Sequence, residues 1–202
     1  MRALYLCYFG LREPLVQTQV LPYLRELAAG GIGMSLLTFE PAPFDEREWR
    51  ERLRGDGIEW HTMRYHKRPT LPATLYDVVR GAFRAAAIVR RERIDVLHAR
   101  SHVAAAMGAL AKRMSGAKLI FDYRGALAEE YVDSGNWRAG GLLYRLTKAA
   151  ERRLLGAADG VVFLTEAARL PLDVPVEIIP CCVEDRHSCL SGGEATGKSA
   201  CP

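Results

Sequence analysis

Four short stretches of this chain hold residues that could do chemistry. Residues 118–122, KLIFD, have the length and apolar character of a buried strand and run straight into YRGALAEEYVDSGNW. Together they bring a carboxylate (Asp122), a guanidinium (Arg124) and Gly125 to one strand end, a set suited to a sugar or a phosphate. The plainer reading is an Asp122–Arg124 pair that only pins the loop. Glu130, further along the same stretch, joins them as a substrate-binding candidate. The second stretch, IDVLHARSH, places His98 at a strand end and Arg100 and His102 in the loop or first helical turn. Two histidines four apart resemble a metal pair, but a zinc-protease helix needs Glu directly after the first, and Ala99 stands there. No metal is expected, and these groups read as substrate contacts or as caps of a helix starting near Ser101.

The third stretch is Phe9-Gly10-Leu11-Arg12, at the end of the first apolar run. A dinucleotide fold would show G-x-G-x-x-G here. With Gly10 alone, a nicotinamide or flavin role is poorly supported. One glycine still lets a ligand approach the backbone, and Arg12 is placed to meet a phosphate or carboxylate, unless the segment is simply a surface turn. The fourth stretch, residues 192–199, spells G-x-x-x-x-G-K-S. A phosphate loop works by joining a strand to a helix, so that loop amides and the helix N-terminus surround the phosphates. No strand precedes Gly192, and only Ala200, Cys201 and Pro202 follow Ser199, so the match reads as coincidence in a Gly/Ser-rich tail.

The elements that must position these residues follow from periodicity. Strands are expected over 3–9, 34–39, 58–63, 95–98, 118–122, 160–164 and 176–179. Between them come a helix ending near Ala29 with Pro22 close to its start, then helices over 45–54, 75–93, 102–114 and 137–155. The 75–93 helix presents Leu75, Val78, Val79, Ala82, Phe83, Ala86 and Val89 as its apolar face, expected to cover the sheet. Strands and helices alternating at these lengths make an α/β domain: a doubly wound, mostly parallel Rossmann-like sheet with helices on both faces and a ligand at the strand C-terminal ends.

Composition bounds the rest. The 202 residues, 49% hydrophobic, suffice for one domain and a tail, and the formal charge of +4 suggests a basic patch without implying nucleic acid. Five cysteines (Cys7, Cys181, Cys182, Cys189 and Cys201) form no C-x-x-C pair, which favours a reducing compartment over a disulfide scaffold. The N-terminal apolar run is short and lacks a cleavage site, so no signal peptide is expected. No stretch reaches the ~20 apolar residues that span a bilayer. The expected location is cytoplasmic, with peripheral contact at the inner face of the membrane. Residues 186–202 contain no Val, Ile, Phe, Tyr or Trp and are expected to be disordered.

Taken as a set, LREPLVQTQVLPYLRELA, IDVLHARSH, LIFDYRGALAEEYVDSGNW and DGVVFLTEAA…VEIIPCCVED resemble the N-terminal domain of glycosyltransferase family 4, retaining enzymes of GT-B fold. The resemblance runs from Arg2 to about Asp185. It implies that the Gly10 loop faces the donor phosphates and acceptor, and that His98 and Arg100 lie on the acceptor side. Arg124 stands where many members carry a histidine that helps hold the reacting sugar; the change keeps a donor and removes a titratable group. GGIGMSLLTFE departs from the family by placing Ile32-Gly33 where His-Glu is usual. In the family a C-terminal Rossmann domain with a paired-glutamate signature binds the nucleotide sugar, and IIPCCVED normally leads into it.

The resemblance therefore implies an acceptor-side domain over 1–185 and a non-family tail over 186–202. The expected activity is transfer of a sugar from a nucleotide-sugar donor to a glycan or lipid-linked acceptor, by a chain inactive alone for want of its donor-binding half. Arg124 and Asp122 are the catalytic candidates. Gly10, Arg12, His98, Arg100 and Glu130 are the substrate-binding ones, with no cofactor, metal or nucleic acid. Two competitors stay open: a non-catalytic binding or assembly module of Rossmann-like fold, and a stand-alone Rossmann enzyme such as a reductase. Arg80, Arg84 and Arg91 along one face of the 75–93 helix, preceded by Lys67 and Arg68, suggest weak electrostatic contact with an anionic membrane, or simply a solvated face.

Overall fold

A computed structural model describes residues 1–66 and 68–180. The expectations for the tail, its phosphate-loop-like motif, Lys67 and the four cysteines beyond Cys7 lie outside the described residues. The strands are β1 (Arg2–Cys7), β2 (Gly33–Glu40), β3 (Ile58–Arg64), β4 (Val96–Arg100), β5 (Lys118–Tyr123), β6 (Gly160–Phe163) and β7 (Val176–Ile178). They form one sheet in the order β3-β2-β1-β4-β5-β6-β7, every neighbouring pair parallel. This is the doubly wound arrangement read from the sequence. The strand order reverses between β1 and β4, which opens a crevice beyond their C-terminal ends. Near-continuous burial along β1, β2 and β5 is what a sheet covered on both faces demands.

Two cores result. One face is covered by α3 (Thr70–Glu92), α4 (Ser101–Ser115) and α6 (Leu142–Ala157), packed on Leu6, Phe39, Leu97, Leu119, Phe121 and Phe163. The other, over β1–β3, is covered by α1 (Leu21–Ala29) and α2 (Arg47–Gly55), packed on Tyr5, Met34, Leu36, Ile58 and Trp60. A π-helical turn, Val16–Val20, runs directly into α1, with the Leu21 amide donating to Val16 O; Pro22, which has no N–H to give, stands at this junction.

The structure corrects three local expectations. β4 extends to Arg100, so this residue is a buried strand residue rather than part of a loop. The last helix starts at Leu142, not 137. Gly140, at φ 70°, lies just before it, in a conformation a side chain rarely adopts. The segment before it, unassigned from sequence, contains a short helix, α5 (Leu127–Asp133). The third correction concerns α3. Val78, Ala82, Ala86 and Val89 are buried, but Leu75 and Phe83 are 65% and 64% exposed and Val79 is exposed as well. The stripe that meets α4 is made of small residues, because the helices approach closely. A Cβ at Gly81 would lie 2.7 Å from Met107 Sδ and 2.9 Å from Phe39 Cζ. Large size alone therefore does not mark the inner side of this helix: Leu75 and Phe83 face out, while Gly81, Ala82 and Ala85 pack in beside Val78 and Ile88.

Candidate functional site

The parallel register builds the site. One row across the sheet reads Tyr5–His98–Ile120, and the next reads Cys7–Arg100–Asp122–Val162. With side chains alternating faces along a strand, Tyr5, His98, Arg100 and Asp122 all point to the α1 side, at the switch point. Asp122 sits at the centre, 1% exposed. It accepts a hydrogen bond from Tyr5 Oη at 3.2 Å and one from Arg124 Nη2 at 2.8 Å, and Arg124 Nε lies 2.7 Å from its other oxygen. His98 Nε2 and Arg100 Nη1 stand 3.7 and 3.8 Å away, too far for direct hydrogen bonds but within strong charge–charge range. Arg100 Nη2 in turn donates to Gln19 Oε1 at 2.6 Å.

These contacts set the electrostatics. Burial alone would push the Asp122 carboxyl up, but the His98 ring and the Arg124 guanidinium outweigh it and hold the carboxyl below the usual range. Tyr5 is shifted the other way, pushed up first by burial and then by the Asp122 charge. Asp122 is thus a fixed anion that orients cations, unsuited to handing protons to a ligand. Of those cations, Arg124 is the more open, with 19% of its side chain exposed against 4% for Arg100. Above the cluster a pocket of about 230 Å³ opens between the π-helical turn, α1 and the strand ends. Thr18, Gln19, Glu26, His98, Asp122 and Arg124 supply its polar wall, and Pro22, Tyr23, Val162 and Ile179 its apolar wall. This is smaller than the ~300 Å³ at which drug-sized pockets begin, so it suits part of a ligand rather than all of one.

The turn between β4 and α4 reinforces the edge. Ser101 adopts φ 67°, a left-handed conformation uncommon for a residue with a side chain, and turns the chain from strand into helix without a linker.

The remaining predicted residues fall elsewhere. Gly10 and Arg12 line a separate depression with Glu13, Glu40 and Pro41. The glycine is required there by close approach: a Cβ would lie 2.9 Å from both Glu40 Oε2 and Pro41 Cδ. Glu40, buried at the end of β2, accepts the Leu11 amide at 2.9 Å and the Thr38 hydroxyl at 2.6 Å, which locks the loop. The exposed Arg12 guanidinium stacks over the Phe44 ring at 4.4 Å. Glu130 is exposed on α5, with its carboxylate folded over Gly125 beside Arg124. His102 lies on the opposite face from His98, in a second buried cluster. Its Nε2 is 3.2 Å from Glu151 Oε2, which also accepts Tyr123 Oη at 3.1 Å, while Lys148 holds the other oxygen at 2.6 Å. Burial, opposed by Glu151, keeps the His102 pKa below the usual value. Among the described residues no group of three or more His, Cys, Asp or Glu side chains is placed to hold a metal. Cys7 is buried, and burial pushes its thiol up to about 11, so it is inert.

Residues 16–173 match the model of the glycosyl transferase 4-like domain. The chain belongs to that family. No curated protein sequence matches it. Among solved structures it is similar to sucrose-phosphate synthase from Thermosynechococcus elongatus (13% identity, TM-score 0.60, 89% of this chain and 48% of that one). It is also similar to MurG from Acinetobacter baumannii (13% identity, TM-score 0.54, 88% and 45%). A putative UDP-N-acetylglucosamine 2-epimerase from Listeria monocytogenes has the same TM-score, 0.54, at 11% identity, covering 82% of this chain and 39% of that one. The chain thus spans less than half the length of these proteins. At such identities the likeness shows the shared GT-B Rossmann-like fold, and an epimerase among the neighbours shows that the fold does not choose the reaction.

Gln19, Tyr5, Tyr23 and Glu40 are the site residues that sequence reasoning missed. ALYLC, LVQTQVLPYL and LLTFE contain them but give no local sign that they converge on the strand ends.

Proposed function

We propose that this chain is the acceptor-side domain of a retaining glycosyltransferase, contained within residues 1–185. In this reading a nucleotide-sugar donor is held mainly by a second Rossmann domain, and the acceptor is a glycan or a lipid-linked sugar. The family and the GT-B fold support transfer as the reaction class. The observation that carries the assignment to this site is Arg124, held against the buried Asp122 at a half-apolar pocket on the sheet's switch point.

The acceptor hydroxyl attacks the sugar on the face from which the phosphate leaves, so negative charge grows on the leaving oxygens. A guanidinium fixed in a poorly hydrated pocket stabilises such charge without reorganising at the moment of reaction. Arg124 is the one group here assigned to touch the reacting sugar or its phosphate. Asp122, Arg100 and Gln19 act through it as positioning residues. His98 lines the pocket and contributes a hydrogen bond to the acceptor. The Gly10 loop, separately locked by Glu40, forms the rim where a donor phosphate approaches the backbone.

The test is a chimera of this chain with the C-terminal domain of a family member, assayed for nucleotide release and sugar transfer. We expect transfer from the chimera and none from the chain alone. Arg124→Ala should lower kcat per folded molecule at least a hundredfold, as removal of one fixed transition-state donor does, and lower the melting temperature as well, because it leaves the buried Asp122 charge without its nearest cation. Unchanged activity per folded molecule would make Arg124 a structural residue and overturn the reading.

A further inference from the structure

Arg124 sits on a short loop, residues 124–126, between Tyr123 at the end of β5 and the first turn of α5. Asp122 holds the guanidinium, but the backbone on either side needs support of its own. α5 cannot supply it alone: of its seven residues only Ala128 is buried.

Both sides of the loop are fastened to one carboxylate on α6. Glu151, 2% exposed, accepts the Tyr123 hydroxyl at 3.1 Å, with His102 Nε2 at 3.2 Å from the same oxygen. Its other oxygen takes Lys148 Nζ at 2.6 Å. The same ammonium stands 3.1 Å from Glu129 Oε1 on α5, and Tyr144 Oη donates to that oxygen at 3.1 Å. The contacts Tyr123–Glu151–Lys148–Glu129 thus begin directly before Arg124 and end in the first turn of α5. Glu130, next to Glu129, folds over Gly125, so the turn that Lys148 holds also roofs the loop. Burial opposes the Lys148 charge, but its bonds to Glu151 and Glu129 outweigh that and raise its pKa, which keeps it an ammonium. Without it, two carboxylates would face each other across the α5–α6 contact and push the helices apart.

We propose that Lys148, Glu151 and Glu129 are positioning residues: they clamp the two ends of the 124–126 loop to α6 and so fix where Arg124 meets its ligand. Asp122 sets the direction of the guanidinium from one face of the sheet, and this clamp sets the backbone from the other. The effect on transfer rests on the transferase reading above; the effect on Arg124 itself does not.

Glu129→Ala is the sharpest variant. The residue is 40% exposed, and the change leaves the buried Glu151 paired with Lys148, so melting should move little. The first readout uses the 202-residue chain: the rate at which phenylglyoxal labels Arg124, followed by peptide mapping. We expect labelling about threefold faster or more, because opening of the loop frees the guanidinium. The second uses the chimera. There Glu129→Ala should lower kcat about tenfold with little change in KM, short of the roughly hundredfold that a 1 Å misplacement can cost, because Asp122 still holds Arg124. Glu129→Gln keeps an oxygen for Lys148 and Tyr144 and should restore most of the loss. Lys148→Met cuts the same link, so adding Glu129→Ala to it should cost no further activity. A parent-like labelling rate in Glu129→Ala overturns the proposal, as does a lower melting temperature with kcat per folded molecule unchanged, which would make the clamp merely structural. A parent chimera without transfer would count against the transferase reading instead, and the labelling rate would then decide the clamp by itself.

Discussion

Replacing Asp122 with Asn probes the centre of the cluster without changing its shape. The carboxylate is 1% exposed and faces Arg124 at 2.7 and 2.8 Å, with Arg100 at 3.8 Å and His98 at 3.7 Å. Removing one partner of a buried ion pair costs about 3–5 kcal/mol, because the other charge stays desolvated. Two features place the effect at the lower end. The amide oxygen of Asn still accepts one hydrogen bond, and Arg124 is open enough to regain some hydration. The expectation is about 3 kcal/mol. At roughly 2–4 °C per kcal/mol for a chain of this size, that is a fall in melting temperature of about 6–12 °C. The pH dependence supplies a second readout. The Asp122 carboxyl is depressed in the folded state, so its stabilisation is complete above the unfolded value of about 3.9 and is lost as pH falls through the lower folded value. The difference between wild type and Asp122→Asn, measured by denaturant titration, should stay constant from pH 7 to 5 and shrink below about pH 4. A difference under about 1 kcal/mol at pH 7, as for an exposed loop pair, or one indifferent to acid, would refute the buried-anion account.

Gly10 and Gly125 should respond to very different degrees to the same change. Gly10→Ala drives a methyl into Glu40 and Pro41, displacing a buried carboxylate that holds the Leu11 amide, and should cost about 1–3 kcal/mol in chemical denaturation. Gly125→Ala meets the carboxylate of the exposed Glu130, which can swing into water, so its cost should stay below about 1 kcal/mol by the same measurement. In the chimera assay Arg124→Lys should recover only part of the transfer lost in Arg124→Ala, because a point charge cannot meet both Asp122 oxygens and the ligand with one planar fork.

The sheet was legible in the sequence because its strands are apolar runs of the right length, separated by helices with their own period. Each of the seven expected strands has its counterpart, within a few residues at the ends. What failed was size used as a proxy for burial. On α3 the packing stripe runs through Ala73, Gly81 and Ala85, which hydropathy weighs lightly, while Leu75 and Phe83 lie outside. The site was half legible. Asp122, Arg124 and His98 were placed at strand ends by local pattern, and the structure gathers them with Arg100 on one face. Tyr5, hydrogen-bonded across 117 positions of chain, and Gln19, bonded to Arg100 across 81, depend on strand order and register, which no local window contains. Glu40 was hidden similarly: the last residue of a strand reads as a boundary, not as the lock of a neighbouring loop.

Whether the cluster serves the sheet or the pocket can be separated by removing it whole. A buried ion pair is poor evidence for stability, since apolar groups of similar volume in its place are often neutral or stabilising. Asp122→Leu combined with Arg124→Leu removes the pair together. Its remaining liabilities are Tyr5 Oη, left without its carboxylate, and the Arg100 charge, which keeps its bond to Gln19. The double variant should therefore recover a large part of the roughly 3 kcal/mol lost in Asp122→Asn. If the pair exists to hold a guanidinium at the pocket, that regained stability will bring no transfer with it in the chimera: melting temperature and kcat will part company. If the double variant is no more stable than Asp122→Asn, the cations around Asp122 are what the sheet itself requires, and the placement of Arg124 at the pocket is a by-product of that requirement.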